Sequence, residues 1–394
     1  MAAPKLIYLV TEDWAFLSHR LPMARAARAA GFDVAVASRV DAHGDRIRAE
    51  GFTLHLLTWR RRDLGPLAAL RAILEIYRLY RRERPDIVHH VALKPMIYGG
   101  IAALLAWRPA MASSLTGTGY AFAATSFKAR LMRLPITLVL RALLTRRRSL
   151  IVVQNAGHRE MLERMTPGAS ERIVVVRGSG IDTTRYQPLP DPEDRPVTVG
   201  FVARLLADKG VRSLIEAYRL LIARGVPVRL LVAGTPDPEN PTSIPEEEVR
   251  GWLALPGFTW LGHVSDVREI WRQAHIAVLP SLHEGLPKSL LEAAACGRPI
   301  VATDVAGCRE IARPGVNALL VPVDDAAALA DAIQQLVEDA ALRKRFGAAS
   351  RRVVDPDLSD TEIGAETVAI YRRLLDESGR DQPGISASVR PISR

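Results

Sequence analysis

Cysteine is nearly missing from this chain: Cys296 and Cys308 are the only two among 394 residues. Two thiols build neither a disulfide framework nor a metal-ligand spacing, which fits a reducing compartment. Long apolar runs are missing too. The longest uncharged apolar stretch, Met96 to Trp107, falls short of the roughly 20 residues that a bilayer span requires. The opening MAAPKLIYLVTEDW holds one lysine and meets Glu12 and Asp13 after a short β-like run, so it does not read as a signal peptide. These absences point to a cytoplasmic chain. An isoelectric point near 10 invites a nucleic-acid reading, but no recognisable binding module and no interleaving of aromatic with basic residues supports it.

What is present is a composition ordinary for an α/β protein, 48% hydrophobic and 24% charged. The charge is unevenly placed. Residues 1–185 hold 29 Lys/Arg against 14 Asp/Glu, a balance of +15, whereas residues 186–394 hold 24 against 29, a balance of −5. The first half is therefore expected to face something anionic.

Apolar strand-like runs alternate with helical ones. In the first half, strands are expected at Lys5–Thr11, Asp33–Ser38, Thr53–Thr58, Asp86–Val91, Ala110–Leu115, Ser149–Gln154 and Arg172–Arg177, with helices from Ser18–Ala30 onward filling the gaps. Such a rhythm predicts a parallel sheet covered on both faces. GSGIDTTRYQPLPDPEDRP, Gly178 to Pro196, has four prolines and no periodicity, and reads as an interdomain linker. The alternation then restarts at Val197–Ala203. The expected division is 1–185 and 186–360 for two Rossmann-like domains, 361–377 for a C-terminal helix packing back on the first domain, and 378–394 for a disordered tail.

Residues 276–303, IAVLPSLHEGLPKSLLEAAACGRPIVAT, are the most informative segment. Strand Ile276–Leu279, a helix opened by Pro287 and closed at Gly297, and strand Pro299–Thr303 form one parallel β–α–β unit. Proline at the first helical position leaves the amides of Lys288 and Ser289 free at a helix end carrying about half a positive charge, which suits a phosphate. Two carboxylates frame it: Glu284 in the loop and Glu292 inside the helix. A second anion-seeking junction is GFVARLLADKG, where Arg204 ends a strand and Lys209 stands at the next helix entry, five residues on. LGHVSD, Leu261 to Asp266, brings main-chain groups near Val264 to a strand's carboxyl end.

Glu284 and Glu292 form the E-x7-E pattern of retaining glycosyltransferases of family 4, and EGLPKSLLEAAACGRPIVATDVAGCREI with FVARLLADKG resembles that family closely. TEDWAFLSHRLPMARA and SLTGTGYAF resemble its bacterial branch that extends polyprenyl-diphosphate-linked oligosaccharides. The resemblance implies a GT-B fold, two Rossmann-like domains facing each other across a cleft. It implies a hexosyl- or N-acetylhexosaminyl-transferase taking a nucleotide-diphosphate sugar, UDP ahead of GDP, to a lipid-linked or polysaccharide acceptor in bacterial surface glycan or glycoprotein glycan assembly. Arg204 and Lys209 would hold the donor diphosphate. Backbone at Gly285, Leu286, Pro287, Lys288 and Ser289 would meet phosphate and sugar, Glu292 the ribose, Glu284 the transferred sugar, and main chain at Val264 the base. Neither a dedicated nucleophile nor a divalent metal is then required, so metal-independent transfer without a further cofactor is expected.

The chain departs from many relatives on the acceptor side. TEDWAFLSHR has no glycine pair and LTGTGY has no histidine, so Asp13, His19 and Thr116 stand as candidates there. His89 and His90 are expected to end a strand facing the cleft, one of them turned into the sheet packing. The basic first half fits a membrane surface: Phe127–Arg148 mixes leucines with basic residues and ends in three arginines, Arg60 to Arg62 form a cluster, and a helix near 66–84 ends in YRRER. Anionic lipid attracts each such residue by about 1 kcal/mol. Peripheral attachment to the inner face of the cytoplasmic membrane is the expectation. The competing readings are a nucleotide-sugar epimerase of the same architecture and, outside enzymes, a basic nucleic-acid-binding protein.

Overall fold

Thirteen strands among the described residues form two separate all-parallel sheets. The computed structural model describes residues 2–60, 65–106, 109–116, 127–193 and 196–377, without the side chains of 127–133. The expected tail 378–394, the GTGY segment, and Arg61 and Arg62 lie outside these residues.

The first sheet contains β1 (Lys5–Glu12), β2 (Asp33–Arg39), β3 (Thr53–Leu56), β4 (Ile87–Val91), β5 (Ala110–Leu115), β6 (Ser149–Val153) and β7 (Ile173–Val175) in the order 3-2-1-4-5-6-7. The second contains β8 (Val197–Val202), β9 (Val228–Ala233), β10 (Phe258–Trp260), β11 (Ile276–Leu279), β12 (Ile300–Thr303) and β13 (Ala318–Val321) in the order 10-9-8-11-12-13. Strands such as LIYLV in β1 and IVAT in β12 are buried along their length, as expected where helices cover both faces of a sheet. Each order reverses direction once, between β1 and β4 and between β8 and β11. Parallel sheets leave a crevice outside the carboxyl ends of strands at such a reversal, because the flanking connections depart to opposite faces.

The strand positions inferred from periodicity agree with the structure to within one or two residues at each end, and five short elements refine the picture. TEDWAFLSHR is not an open loop: Asp13–His19 is a helix that precedes Leu21–Ala29. Pro287 is the cap rather than the first residue of helix Lys288–Ala295. Lys209 ends a 3-10 turn, Ala207–Lys209, before helix Val211–Ala223 begins. Helices Arg268–Gln273 and Ala306–Arg309 were too short to show a period.

The chain crosses between the sheets twice, side by side. Ile181 and Asp360 exchange backbone contacts, with Ile181 N–H donating to Leu358 and Asp360 N–H donating to Ile181 at 3.0 Å each. The last helix, Asp360–Asp376, then packs on Leu21–Ala29 of the first half. Its Tyr371 hydroxyl meets Tyr8 and His89 at 2.6 Å each in the core, and Ile363, Val368, Ile370 and Leu374 join the same apolar cluster. The first half thus completes its core with residues from the far end of the chain.

Candidate active site

The two sheet reversals face each other, and between them lies a cavity of about 660 Å³. Its first-half wall comes from the ends of β1 and β4 and from helix Asp13–His19; its second-half wall comes from the ends of β8, β9 and β11 and from the start of helix Lys288–Ala295. All ten residues inferred from the second-half motifs, Arg204, Lys209, Val264, Glu284, Gly285, Leu286, Pro287, Lys288, Ser289 and Glu292, line this one cavity.

Local structure explains how they meet. Gly210 has φ 70° and lies so close to the carbonyl of Pro280 that a Cβ would overlap it, which presses the Lys209 turn against the loop after β11. There Lys209 Nζ donates to Glu284 Oε1 at 2.6 Å, and Ser281 Oγ donates to the same oxygen at 2.7 Å. Arg204 is anchored less deeply, 2.6 Å from Asp237 with its side chain 42% exposed. The two cations therefore differ: the Lys209 side chain is half as exposed as that of Arg204, 21% against 42%, and each is held by a carboxylate.

Glu292 is 7% exposed. Burial pushes its carboxyl up to about 7, partly offset by the Lys288 ammonium and by the hydroxyl of Tyr186, which donates to it at 3.3 Å. Tyr186 belongs to the linker and carried no signal in the motif. Glu292 is thus a carboxyl close to even protonation at neutral pH, facing a cavity that also holds the cations Arg204, Lys209 and Lys288.

The halves touch directly at the site. Lys288 Nζ donates to the carbonyl of Ser18 at 2.8 Å. Asn155 caps helix Ala156–Met165 through its side-chain oxygen and uses its amide nitrogen to donate to the Gly285 carbonyl at 2.7 Å. At Gly285 the opposite wall comes so near that a Cβ would run into Gln154 and the Thr116 carbonyl. Glycine is required here for approach of the two halves.

On the acceptor side, the structure separates the three candidates. His19 and Thr116 line the cavity. Burial pushes His19 down to about 3, helped by the charges of Lys288, Arg20, Arg204 and Lys209, so it presents a neutral imidazole. Asp13 does not line the cavity and is corrected: fully buried, it accepts from the backbone N–H of Asp41 at 3.0 Å and His43 at 2.7 Å, stapling the loop after β2. Its neighbours Glu12 and Trp14 face the cavity instead, because Asp13 starts a helix rather than continuing the loop. Glu12 is 4% exposed and 3.4 Å from Arg39, while Trp14 presents its ring at the opening, 38% exposed. His89 and His90 are also corrected: both lie inside β4, facing opposite sides of the sheet, and neither lines the cavity. His89 is bound by Tyr371 and Ser114, His90 by Tyr80 and Ser113.

Residues 196–339 match a family model described as "Glycosyl transferases group 1", and residues 5–155 match one described as "Glycosyl transferase 4-like". Among curated proteins, the chain is 25% identical to the capsular polysaccharide biosynthesis glycosyltransferase CapM of Staphylococcus aureus, over 81% of this chain and 84% of that one. It is 28% identical to the N,N'-diacetylbacillosaminyl-diphospho-undecaprenol alpha-1,3-N-acetylgalactosaminyltransferase of Campylobacter jejuni, over 83% and 90%. Among solved structures, the sucrose-phosphate synthase of Thermosynechococcus elongatus superposes with a TM-score of 0.79 at 20% identity, over 95% of this chain and 99% of that one. The Anabaena protein HepE, in complex with UDP and glucose, superposes with a TM-score of 0.75 at 17% identity, over 94% and 99%. These superpositions fix the fold as GT-B.

Proposed function

This chain belongs to the group 1, family 4-like glycosyltransferases, and from that premise we propose that it works in bacterial surface-glycan synthesis, as its relative CapM does by name, and moves a sugar, with retention, from a nucleotide diphosphate to a lipid-linked acceptor. The observation that carries this reading is the convergence in one cavity of Arg204, Lys209 and the Lys288 helix end on one wall with His19, Trp14 and Glu12 on the other. A polyphosphate on the first wall and a sugar hydroxyl on the second are what these groups match. The Campylobacter relative, by its name, acts on a diphospho-undecaprenol acceptor, which supports the same acceptor class here.

In this reading Arg204, Lys209 and the first-turn amides of helix Lys288–Ala295 bind the diphosphate and offset the charge that builds on it as the bond from the sugar C1 to the phosphate oxygen breaks. The acceptor oxygen attacks C1 from the face that the diphosphate leaves, and its proton passes to a departing phosphate oxygen. Glu284, fixed by Lys209 and Ser281, orients the transferred sugar. Glu292 accepts from the ribose hydroxyls, the main chain at Val264 meets the base, and Trp14 offers a ring face to the acceptor sugar. Neutral His19 is free to accept or donate a hydrogen bond to the acceptor without adding charge. No metal enters this scheme, since three cations and a helix end already surround the diphosphate.

The acceptor reading extends to the surface. No helix among the described residues is long and apolar enough to cross a membrane. Three neighbouring helices of the first half instead expose leucines beside arginines: Leu67 and Leu70 on Pro66–Glu83, Leu105 at the end of Leu93–Leu105, and Leu134 and Leu138 on Phe127–Leu144. We read this face as the one that rests on anionic lipid at the inner leaflet. Of the three consecutive arginines, Arg147 is exposed, whereas Arg146 and Arg148 are half-buried and have partners of their own.

A thermal-shift screen of UDP- and GDP-sugars followed by product analysis tests the proposal. A shift with one nucleotide sugar, and transfer only when a lipid-linked acceptor is added, supports it. Acceptor-independent release of free nucleotide with an epimerised sugar would replace it with the epimerase reading.

A further inference from the structure

Among the described residues, Arg20 is a buried cation without a counter-ion. It is 3% exposed and lines the cavity on the first-half wall. Among the described residues no carboxylate pairs with it: Nε has no hydrogen-bond partner, and Nη1 reaches only the sulfur of Met23 at 3.7 Å. The groups around it are Tyr8, Tyr371 and His89, joined to one another by hydrogen bonds. Burial raises both tyrosines and lowers the histidine, so all three stay neutral. Glu12, the carboxylate of the same wall, is engaged by Arg39.

Two other arginines of equal burial show what a structural role looks like. Arg298 donates to the carbonyls of Trp271 and Pro190, and Arg343 to those of Leu336 and Val337. Arg20 has no such carbonyls. An isolated buried cation is costly, because the lost hydration is not replaced. Its position adds a second attraction for anions. Arg20 is itself the cap residue of helix Leu21–Ala29, nine residues long, whose first turn has no side-chain cap; Arg20's own N–H donates to Phe16 and Pro22 has none, so what this helix end offers an anion is the positive end of its dipole.

We propose that Arg20, with the first turn of the helix it caps, is the site that receives the phosphate oxygens of the acceptor. The inference deepens the transferase reading above and rests on it. A guanidinium fork at the positive end of a helix matches an anion with several oxygens. Held there, a diphosphate-linked acceptor is anchored on the first-half wall, apart from the donor diphosphate on the Arg204 and Lys209 wall.

The test uses the full chain with its donor site first saturated by UDP, then titrated with geranyl diphosphate, inorganic pyrophosphate or geraniol. The parent is expected to bind geranyl diphosphate but not geraniol. Arg20→Gln should weaken that binding at least tenfold while leaving UDP affinity within twofold, and Arg20→Lys should recover part of the loss. Pyrophosphate binding that is also lost in Arg20→Gln supports the anion site and shows that the isoprenoid is dispensable for it. Equal binding of geraniol, or geranyl diphosphate affinity unchanged in Arg20→Gln, overturns the proposal. Loss of UDP binding in both Arg20 variants overturns it as well, by assigning Arg20 a structural role. A parent that binds UDP but never geranyl diphosphate sinks this inference alone, whereas a parent that binds no nucleotide or nucleotide sugar sinks the transferase reading with it.

Discussion

Replacing Glu292 with glutamine should abolish a pH dependence of donor binding that the structure builds in. In the free protein burial sets this carboxyl to about 7, so close to half of it is ionised at neutral pH. A ribose hydroxyl is a donor and prefers the ionised form, where each charge-assisted bond contributes about 1.5–3 kcal/mol. If only the ionised form binds well, the competent fraction rises from about one tenth at pH 6 to about nine tenths at pH 8. Affinity for the nucleotide sugar should then rise about tenfold, or about 1.4 kcal/mol, across that interval. A nucleotide sugar is the proper probe, because UDP has a phosphate that titrates in the same range. Calorimetry at pH 6, 7 and 8 in buffers of different ionisation enthalpy would also show protons released on binding near pH 7. Stability should move the opposite way. The folded pKa is raised above its ordinary value of 4.5, so the native state holds the extra proton between about 4.5 and 7. Stability therefore falls as pH climbs through that window, by up to about 3 kcal/mol. Glu292→Gln should remove both slopes, and its melting temperature relative to the parent should increase with pH. A flat affinity profile in the parent, or a slope that survives in Glu292→Gln, would refute the ribose role.

Three further outcomes are expected. Lys209→Ala and Arg204→Ala should each cut turnover by about 10²–10³, the scale for removing one donor that meets developing charge; Lys209→Ala should also cost about 1–3 kcal/mol of stability because it leaves the little-exposed Glu284 with only the Ser281 hydroxyl, whereas Arg204→Ala, the more exposed of the two, should cost less than about 1 kcal/mol. Full turnover in a folded double variant would remove both from the mechanism. Activity should persist in EDTA, and a strict requirement for added magnesium or manganese in metal-stripped protein would contradict the scheme. Sedimentation with phosphatidylglycerol vesicles should weaken as salt rises, since exposed charges are screened over about 8–10 Å at 0.1–0.15 M. It should weaken further in Leu134→Glu/Leu138→Glu, while unchanged sedimentation of that variant would make these leucines bystanders.

The second-half site was legible in the sequence because one β–α–β unit carries most of it. Glu284, Lys288 and Glu292 sit on consecutive turns of chain, so spacing alone places them at one strand end and helix start. Arg204 and Lys209 follow from the same logic at β8, where a strand ends and a helix begins. The two parallel sheets were equally readable, since buried strands such as LIYLV and IVAT admit few alternatives.

The first-half wall depended on tertiary structure. Sequence spacing could not tell Glu12 from Asp13, because a one-residue difference at the start of a helix turns one carboxylate into the cavity and the other into a loop staple. His89 and His90 were drawn into the core by hydroxyls of Tyr371, Ser114, Tyr80 and Ser113, the first of them 282 residues away along the chain. Tyr186 reaches Glu292 from the linker, and Asn155 reaches Gly285 from the other sheet. Arg20 reads in the sequence as one more basic residue. Only packing around it removed water and left it without a carboxylate. Local pattern determined which segments end at the cleft, since strand and helix periods act over a few residues. Which side chains are charged, neutral or paired once there was decided by burial and by partners far along the chain, which no local pattern encodes.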